Sequence, residues 1–156
     1  MPTGLSPVAI GIAVAALAAG VLMLLTEVTT VISIDVASGS CSNIYDTSPE
    51  LADNCRQTGF ERSSVALLLL GLLTFAMGSG AAFGRSRPAA VALIAIGVVV
   101  LGLALALDLP ASNDTGVIGQ DYAQAHASPG IGLWFEAVGG ALAVLAGLLR
   151  VIRPDD

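Results

Sequence analysis

Residues 130–151, GIGLWFEAVGGALAVLAGLLRV, form an almost unbroken apolar stretch that contains a single carboxylate, Glu136. A helix of this length, at ~1.5 Å per residue, crosses a hydrocarbon core of ~30 Å. Glu136 shares one helical stripe with small residues, namely Gly132, Gly139, Gly140, Ala143 and Gly147. A carboxylate in lipid is costly and normally faces other helices or water, and small residues let neighbouring backbones approach closely. The stretch therefore predicts a membrane helix against which the others pack.

The composition of the whole chain agrees with a membrane protein. The 156 residues are 55% hydrophobic and 12% charged, with a mean hydropathy of +0.86, which is more apolar and less charged than soluble domains are. The apolar residues concentrate in four segments, which are residues 6–27, 63–83, 88–107 and 130–151. We expect one domain over residues 1–156, an all-α membrane protein built as a four-helix transmembrane bundle. The net charge of −6 argues against nucleic acid as a partner.

The first connection, residues 28–62, differs in pattern from the segments around it. Residues 28–36, VTTVISIDV, are rich in β-branched side chains and alternate in polarity, which predicts a strand. Cys41 and Cys55 follow in the same connection with 13 residues between them, and a disulfide there would be worth about 3 kcal/mol in the chain-entropy treatment. A redox relay would need a C-x-x-C motif or a second cysteine pair, and the sequence has neither. We therefore expect a small, partly β loop that a structural disulfide pins.

The arginines predict how the chain is oriented in the membrane. All six basic residues are arginine, which we interpret as a bacterial composition. Short cytoplasmic loops carry an excess of basic residues, and the four arginines on one side outnumber the two on the other, Arg56 and Arg62. The larger group consists of Arg85, Arg87, Arg150 and Arg153. We expect a multi-pass protein of the bacterial cytoplasmic membrane with both termini in the cytoplasm. Residues 28–62 and 108–129 then face outward, where a disulfide persists.

Four charged residues are expected to form a buried polar cluster near the outer end of the bundle: Glu27, Arg62, Asp108 and Glu136. We favour a buried ion-pair network over a cation or proton site, and over carboxylates that lie exposed at the interface. Glu136 should be either protonated or held by a donor, because a lone ionised carboxylate at its depth is strongly disfavoured. Arg62 is the donor we predict for it.

The sequence has no recognisable reaction centre, so we expect neither an enzyme nor a bound metal or cofactor. It lacks a phosphate-binding glycine loop and a nucleophile elbow, and its two cysteines and one histidine fall short of a zinc or haem ligand set. The role we favour is an accessory or scaffolding subunit of a larger envelope complex, or a self-associating membrane protein. Its partners would be membrane lipid and either another protein or further copies. The alternatives are a small proton- or cation-coupled transport protein that uses the carboxylates, and a lipid- or quinone-binding module.

Several short motifs also support a family resemblance. They are Glu27 after the first span, Arg62-Ser63 before the second, Ser86-Arg87-Pro88-Ala89-Ala90 opening the third, Asp108-Leu109-Pro110 closing it, and Pro129-Gly130 with Glu136 in the fourth. In these features the chain resembles small four-helix membrane proteins of actinobacteria, a group without an assigned function from which no site residue carries over. The outline also resembles claudins. The claudin Trp-Gly-Leu-Trp and cysteine pattern is missing from residues 29–62, so that likeness is one of architecture alone.

Overall fold

A computed structural model describes most of the chain, namely residues 6–36, 39–40, 54–116, 118–122 and 124–153. The described part is mainly helical, with a small sheet at one end of the helices. Its long and short helices are α1 (Pro7–Val28), α2 (Gly59–Ser63), α3 (Ala66–Ala82), α4 (Arg87–Gly102), α5 (Leu109–Ala111), α6 (Ile118–Asp121) and α7 (Ile131–Ile152). A π-helical segment, Leu103–Asp108, joins α4 to α5.

Within the described ranges, three helical stretches are long and apolar enough to cross a membrane: Pro7–Val28, Arg87–Ala111 and Ile131–Ile152. They correspond to the first, third and fourth apolar segments of the sequence. Local chemistry explains two of the starts. The Ser6 hydroxyl accepts a hydrogen bond from the Ala9 amide at 3.1 Å, the Ser86 hydroxyl accepts one from the Ala89 amide at 3.4 Å, and each cap is followed by a proline in the first turn.

The second apolar segment forms a shorter helix than the sequence analysis predicted. α3 has 17 residues and begins at Ala66, three positions after the predicted start. Ser63, the predicted start, is instead the last residue of α2, which begins with a capping box formed by Thr58 and Glu61. Ser64 then breaks the helix with φ of 53°, a left-handed conformation that cannot continue an α-helix. At ~1.5 Å per residue α3 is about 25 Å long, below the thickness of a typical hydrocarbon core.

The third segment extends further than predicted, because Pro110 does not end it. We expected the helix to stop near residue 107, since proline lacks an amide donor and clashes with the carbonyl four residues earlier. In the structure the Leu109 amide donates to the carbonyl of Ala104, five residues back, and the helical path continues to Ala111. This wider turn shifts the hydrogen-bond register just before the proline.

The sheet is built around β1 (Thr30–Val36), which confirms the strand predicted in the first connection. β1 pairs antiparallel with each of the other three strands, β2 (Gly39–Ser40), β3 (Arg56–Thr58) and β4 (His126–Pro129). The sequence analysis did not predict β4, which lies in the second connection and pairs with β1 from Ile32–Pro129 to Asp35–His126. Only Gly130 separates β4 from α7, and its amide donates to the Val31 carbonyl at 2.7 Å. The sheet thus connects the ends of α1 and α7.

A small apolar core lies under the sheet and includes one of the two cysteines. Cys55 is fully buried and packs with Ile34, Val36 and Ile118. Cys41 lies outside the described residues, so the Cys41–Cys55 disulfide stays a prediction.

The helices pack in the cyclic order α1, α3, α4 and α7, and α7 makes extensive contacts with both α1 and α4. The predicted stripe on α7 is buried along its length, including Glu136 and its glycines. Gly97 of α4 and Gly140 of α7 face each other so closely that a Cβ atom on either would meet the carbonyl oxygen of the other. Backbone-to-backbone contact of this kind is how membrane helices associate where small residues meet.

Candidate functional site

A cavity of about 180 Å³ brings together three of the four residues of the predicted polar cluster. We call it the inner cavity, and its lining consists of Arg62, Ser63, Ala66, Leu103, Leu107, Asp108 and Glu136. Four elements contribute to it: α2, the start of α3, the π-helical segment and α7. Two carboxylates and one guanidinium thus meet at the sheet-bearing end of the bundle.

Arg62 and Asp108 form the ion pair of this site. The Arg62 Nε donates to Asp108 Oδ1 at 2.6 Å, and Nη1 donates to the side-chain oxygen of Gln57 at 3.1 Å. Asp108 is the last residue of the π-helical segment, so the wider turn before Pro110 determines the position of the Asp108 Cα atom and hence of its carboxyl group. The Asp108 and Arg62 side chains are 12% and 25% exposed, so water partly screens the pair.

Glu136 lies deeper than the ion pair and has no hydrogen-bonding partner. The residue is 1% exposed, and neither carboxyl oxygen has a hydrogen-bond partner in the described part of the chain. Its carboxyl group lines the same cavity as the carboxyl group of Asp108. The predicted donor was wrong: Arg62 bonds to Asp108 instead, because α2 and the π-helical segment place those two side chains together.

Glu27, the fourth residue of the predicted cluster, has a different role. It lies in the last turn of α1 and is 6% exposed, but it is not part of the cavity lining. Its Oε1 accepts a hydrogen bond from the Leu68 amide at 2.7 Å, in the first turn of α3. Since Val65 provides no side-chain cap for α3, Glu27 satisfies this helix start from a neighbouring helix. We therefore interpret Glu27 as structural.

A second concavity lies above the inner cavity, between the sheet and the connection after α5. This outer pocket has a volume of about 200 Å³. Its polar lining includes Gln57, Arg62, Asp114 and Thr115, and its apolar lining includes Ile34 and Ile118. Arg62 lines both the outer pocket and the inner cavity, so its guanidinium lies at the boundary between them.

The sequence analysis missed two polar residues, Arg150 and Gln57. Arg150 was counted only for orientation, yet it is 1% exposed and among the largest fully buried side chains, with Nη1 donating to the Arg153 carbonyl at 3.4 Å. Its position on the Glu136 stripe, two heptads further along, was a signal that could have been used. Gln57 was also missed, and only its contact with Arg62 identifies it. Arg56 and His126 are exposed residues of β3 and β4 and do not line the inner cavity.

The donor set suits a proton better than a metal ion. Calcium takes six to eight oxygen ligands and magnesium needs octahedral geometry, whereas the described residues contain no group of three or more metal-ligating side chains. Two adjacent carboxyl groups, one with an arginine partner and one without, can hold and release a proton. Comparison with known protein families, characterised proteins and solved structures finds no match to this chain.

Proposed function

We propose that this chain is a small proton-coupled transport protein of a bacterial membrane, and that Glu136 is its proton-binding group. The observation that carries the proposal is the environment of Glu136: buried, without a hydrogen-bond donor among the described residues, and facing a cavity beside Asp108. Intramembrane carboxylates are rare, and they characteristically mark substrate, ion and proton paths.

The charges of the site support this role. Asp108 is already neutralised by Arg62, so the guanidinium is not available to neutralise Glu136. An ionised Glu136 would then be costly, and a proton removes that cost. The inner cavity exceeds the ~30 Å³ that a water molecule occupies in the liquid several-fold, so water can bring a proton to the carboxyl group.

A flux measurement tests the proposal. Purified protein is reconstituted in liposomes that contain a pH-sensitive dye, and a membrane potential is imposed with potassium and valinomycin. We expect the wild-type protein to acidify or alkalinise the lumen according to the sign of the potential. Glu136→Gln removes the titrating proton but keeps the shape of the side chain, and should reduce flux to the level of protein-free liposomes.

Glu27→Gln is the matched control, because Glu27 is also buried and acidic but bonds to the start of α3. It should retain proton flux wherever the protein stays folded. Absence of flux from the wild-type protein under both signs of the potential would contradict the proposal.

In that case the alternative role, that of an accessory subunit or self-associating membrane protein, would become the better-supported one. The short α3 exposes a row of leucines, which are Leu68, Leu69, Leu72 and Leu73, just as the other spanning helices expose apolar side chains. A partner helix or lipid would cover this face. Subunits that copurify with a flux-free protein in mild detergent would support this second role.

We further propose that α3 is a fourth span, that both termini are cytoplasmic and that Cys41 pairs with Cys55 outside the cell. The 17 residues of α3 can cross if the bilayer thins locally beside it, at a modest cost. The arginine count and the location of both cysteines in one connection support this orientation.

Thiol labelling in intact cells tests the orientation. The native cysteines should resist a membrane-impermeant maleimide until they are reduced, and should then react from outside. A single added thiol, Phe83→Cys, lies at the exposed end of α3 beside Arg85 and should react only after the cells are opened. Labelling of Phe83→Cys from outside would reverse the orientation.

A further inference from the structure

The outer pocket carries two opposite charges that do not bond to each other. Arg62 and Asp114 both line it, yet the only ion pair of the described residues joins Arg62 to Asp108. Arg62 has its ion-pair partner in Asp108, whereas Asp114 is an exposed carboxylate without an ion pair among the described residues, so its charge is available to a ligand. A pocket whose lining contains both a guanidinium and a carboxylate suits a ligand with two charged ends.

Both charged groups have hydrogen-bonding capacity left toward the pocket. Arg62 uses Nε on Asp108 and Nη1 on Gln57, and a guanidinium carries five N–H donors in a fixed fork. The remaining donors suit a carboxylate. Asp114 Oδ1 accepts the Gly116 amide at 2.9 Å, which leaves Oδ2 to accept from an ammonium group.

The shape of the pocket limits the size of its ligand. Its volume of about 200 Å³ lies below the ~300–1,000 Å³ of sites for drug-sized molecules. The apolar wall of Ile34 and Ile118 offers contact for a short aliphatic side chain. A simple anion would meet Asp114 and the neighbouring Asp108, and a simple cation would meet Arg62, so either alone fits the pocket poorly.

We propose that the outer pocket binds a small aliphatic amino acid in its zwitterionic form, with the carboxylate on Arg62 and the ammonium group on Asp114. Binding of the amino acid does not depend on the proposed function; only the effect of binding on proton transport rests on it. The bound carboxylate shares the guanidinium with Asp108, so less positive charge is left to balance Asp108 beside Glu136. A proton on Glu136 is then favoured, so bound solute should increase the proton flux that the protein supports without it.

Thermal unfolding of the purified full-length protein in detergent tests the binding step. The probes are L-alanine, propionate, which lacks the ammonium group, and ethylamine, which lacks the carboxylate. At ~10-fold above its Kd, alanine should raise the Tm by about 3–6 °C. Propionate and ethylamine at the same concentrations should give a much smaller rise.

Asp114→Asn provides the mutational test, because the side-chain oxygen that accepts the Gly116 amide is kept while the charge is lost. The alanine concentration needed for half of the Tm shift should rise about tenfold or more. Asp35→Asn is the matched control, since Asp35 is an exposed aspartate of β1 outside the pocket lining, and it should leave the alanine response unchanged.

Equal shifts from all three probes, no shift from alanine, or an unchanged response in Asp114→Asn would overturn the assignment. A shift from phosphoethanolamine without one from alanine would overturn it in favour of a lipid headgroup. The two proposals fail separately: alanine binding can be absent while proton flux persists, and flux can be absent while the Asp114-dependent binding remains.

Discussion

Gly97→Leu is expected to prevent the bundle from forming, and Gly97→Ala to destabilise it by about 1–3 kcal/mol or more. A Cβ atom at this position would meet the carbonyl oxygen of Gly140 and the side chain and backbone amide of Val144. Because two of these atoms belong to the backbone of α7, a side-chain rotation cannot relieve the contact. The helices would have to separate, and the packing between α4 and α7 would be lost along much of their length.

Gly102→Ala is the control, since Gly102 belongs to the same helix and a Cβ atom there meets nothing within 4 Å. It should leave stability unchanged or raise it by about 0.5–1 kcal/mol, the usual difference between glycine and alanine in a helix. Resistance to unfolding by heat and by a denaturing detergent measures both variants. Equal stabilities for the two alanine variants would show that α4 and α7 do not meet at Gly97.

The second large effect concerns Glu136, where we expect Glu136→Leu to stabilise the fold. The carboxyl group is buried without a donor among the described residues, so a hydrogen-bond network does not compensate its desolvation. Replacing a buried ion pair by apolar residues of similar volume is often neutral or stabilising by 1–4 kcal/mol, and replacing a buried carboxyl group that has no donor should act in the same direction. We expect a gain of about 1–3 kcal/mol, together with loss of proton flux.

Glu27→Leu should do the opposite, because it removes the acceptor for the Leu68 amide at the start of α3. A loss of about 1–2 kcal/mol is typical of a removed helix cap. The same unfolding measurement compares the two variants. If Glu136→Leu proves as destabilising as Glu27→Leu, then Glu136 is held by a bond that supports the fold, and a proton-binding role loses its basis. Stability gained with activity lost is the pattern expected of a functional site.

The parts of the fold that follow from local pattern were predictable from the sequence. The apolar segments, the small-residue stripe around Glu136 and the alternation before Val36 each express a single periodicity. The helix break at Ser64 could have been predicted in part, because Thr58 and Glu61 have the spacing of a capping box, which predicts the start of a separate short helix. Use of this capping box would have moved the predicted start of the second apolar helix to a later residue.

The parts that depend on distant contacts were not predictable in this way. Arg62 was assigned to Glu136 because both lie at the same level, and nothing in the sequence reports the wider turn that positions Asp108 instead. β4 has four residues and one partner strand, so its existence depends on β1, which is remote in sequence. Glu27 looked like a member of the site because its acceptor role appears only once α1 and α3 are side by side.

The pairing of β1 with β4 has a consequence for biosynthesis. β1 emerges from the ribosome directly after α1, whereas β4 is made only just before α7, so this edge of β1 cannot be paired until most of the chain exists. Pairings this remote in sequence form slowly, and strand edges left open in the meantime invite association with other chains. The sheet is therefore complete only once β4 has been made, and chains that are truncated or stalled before β4 would present an open strand.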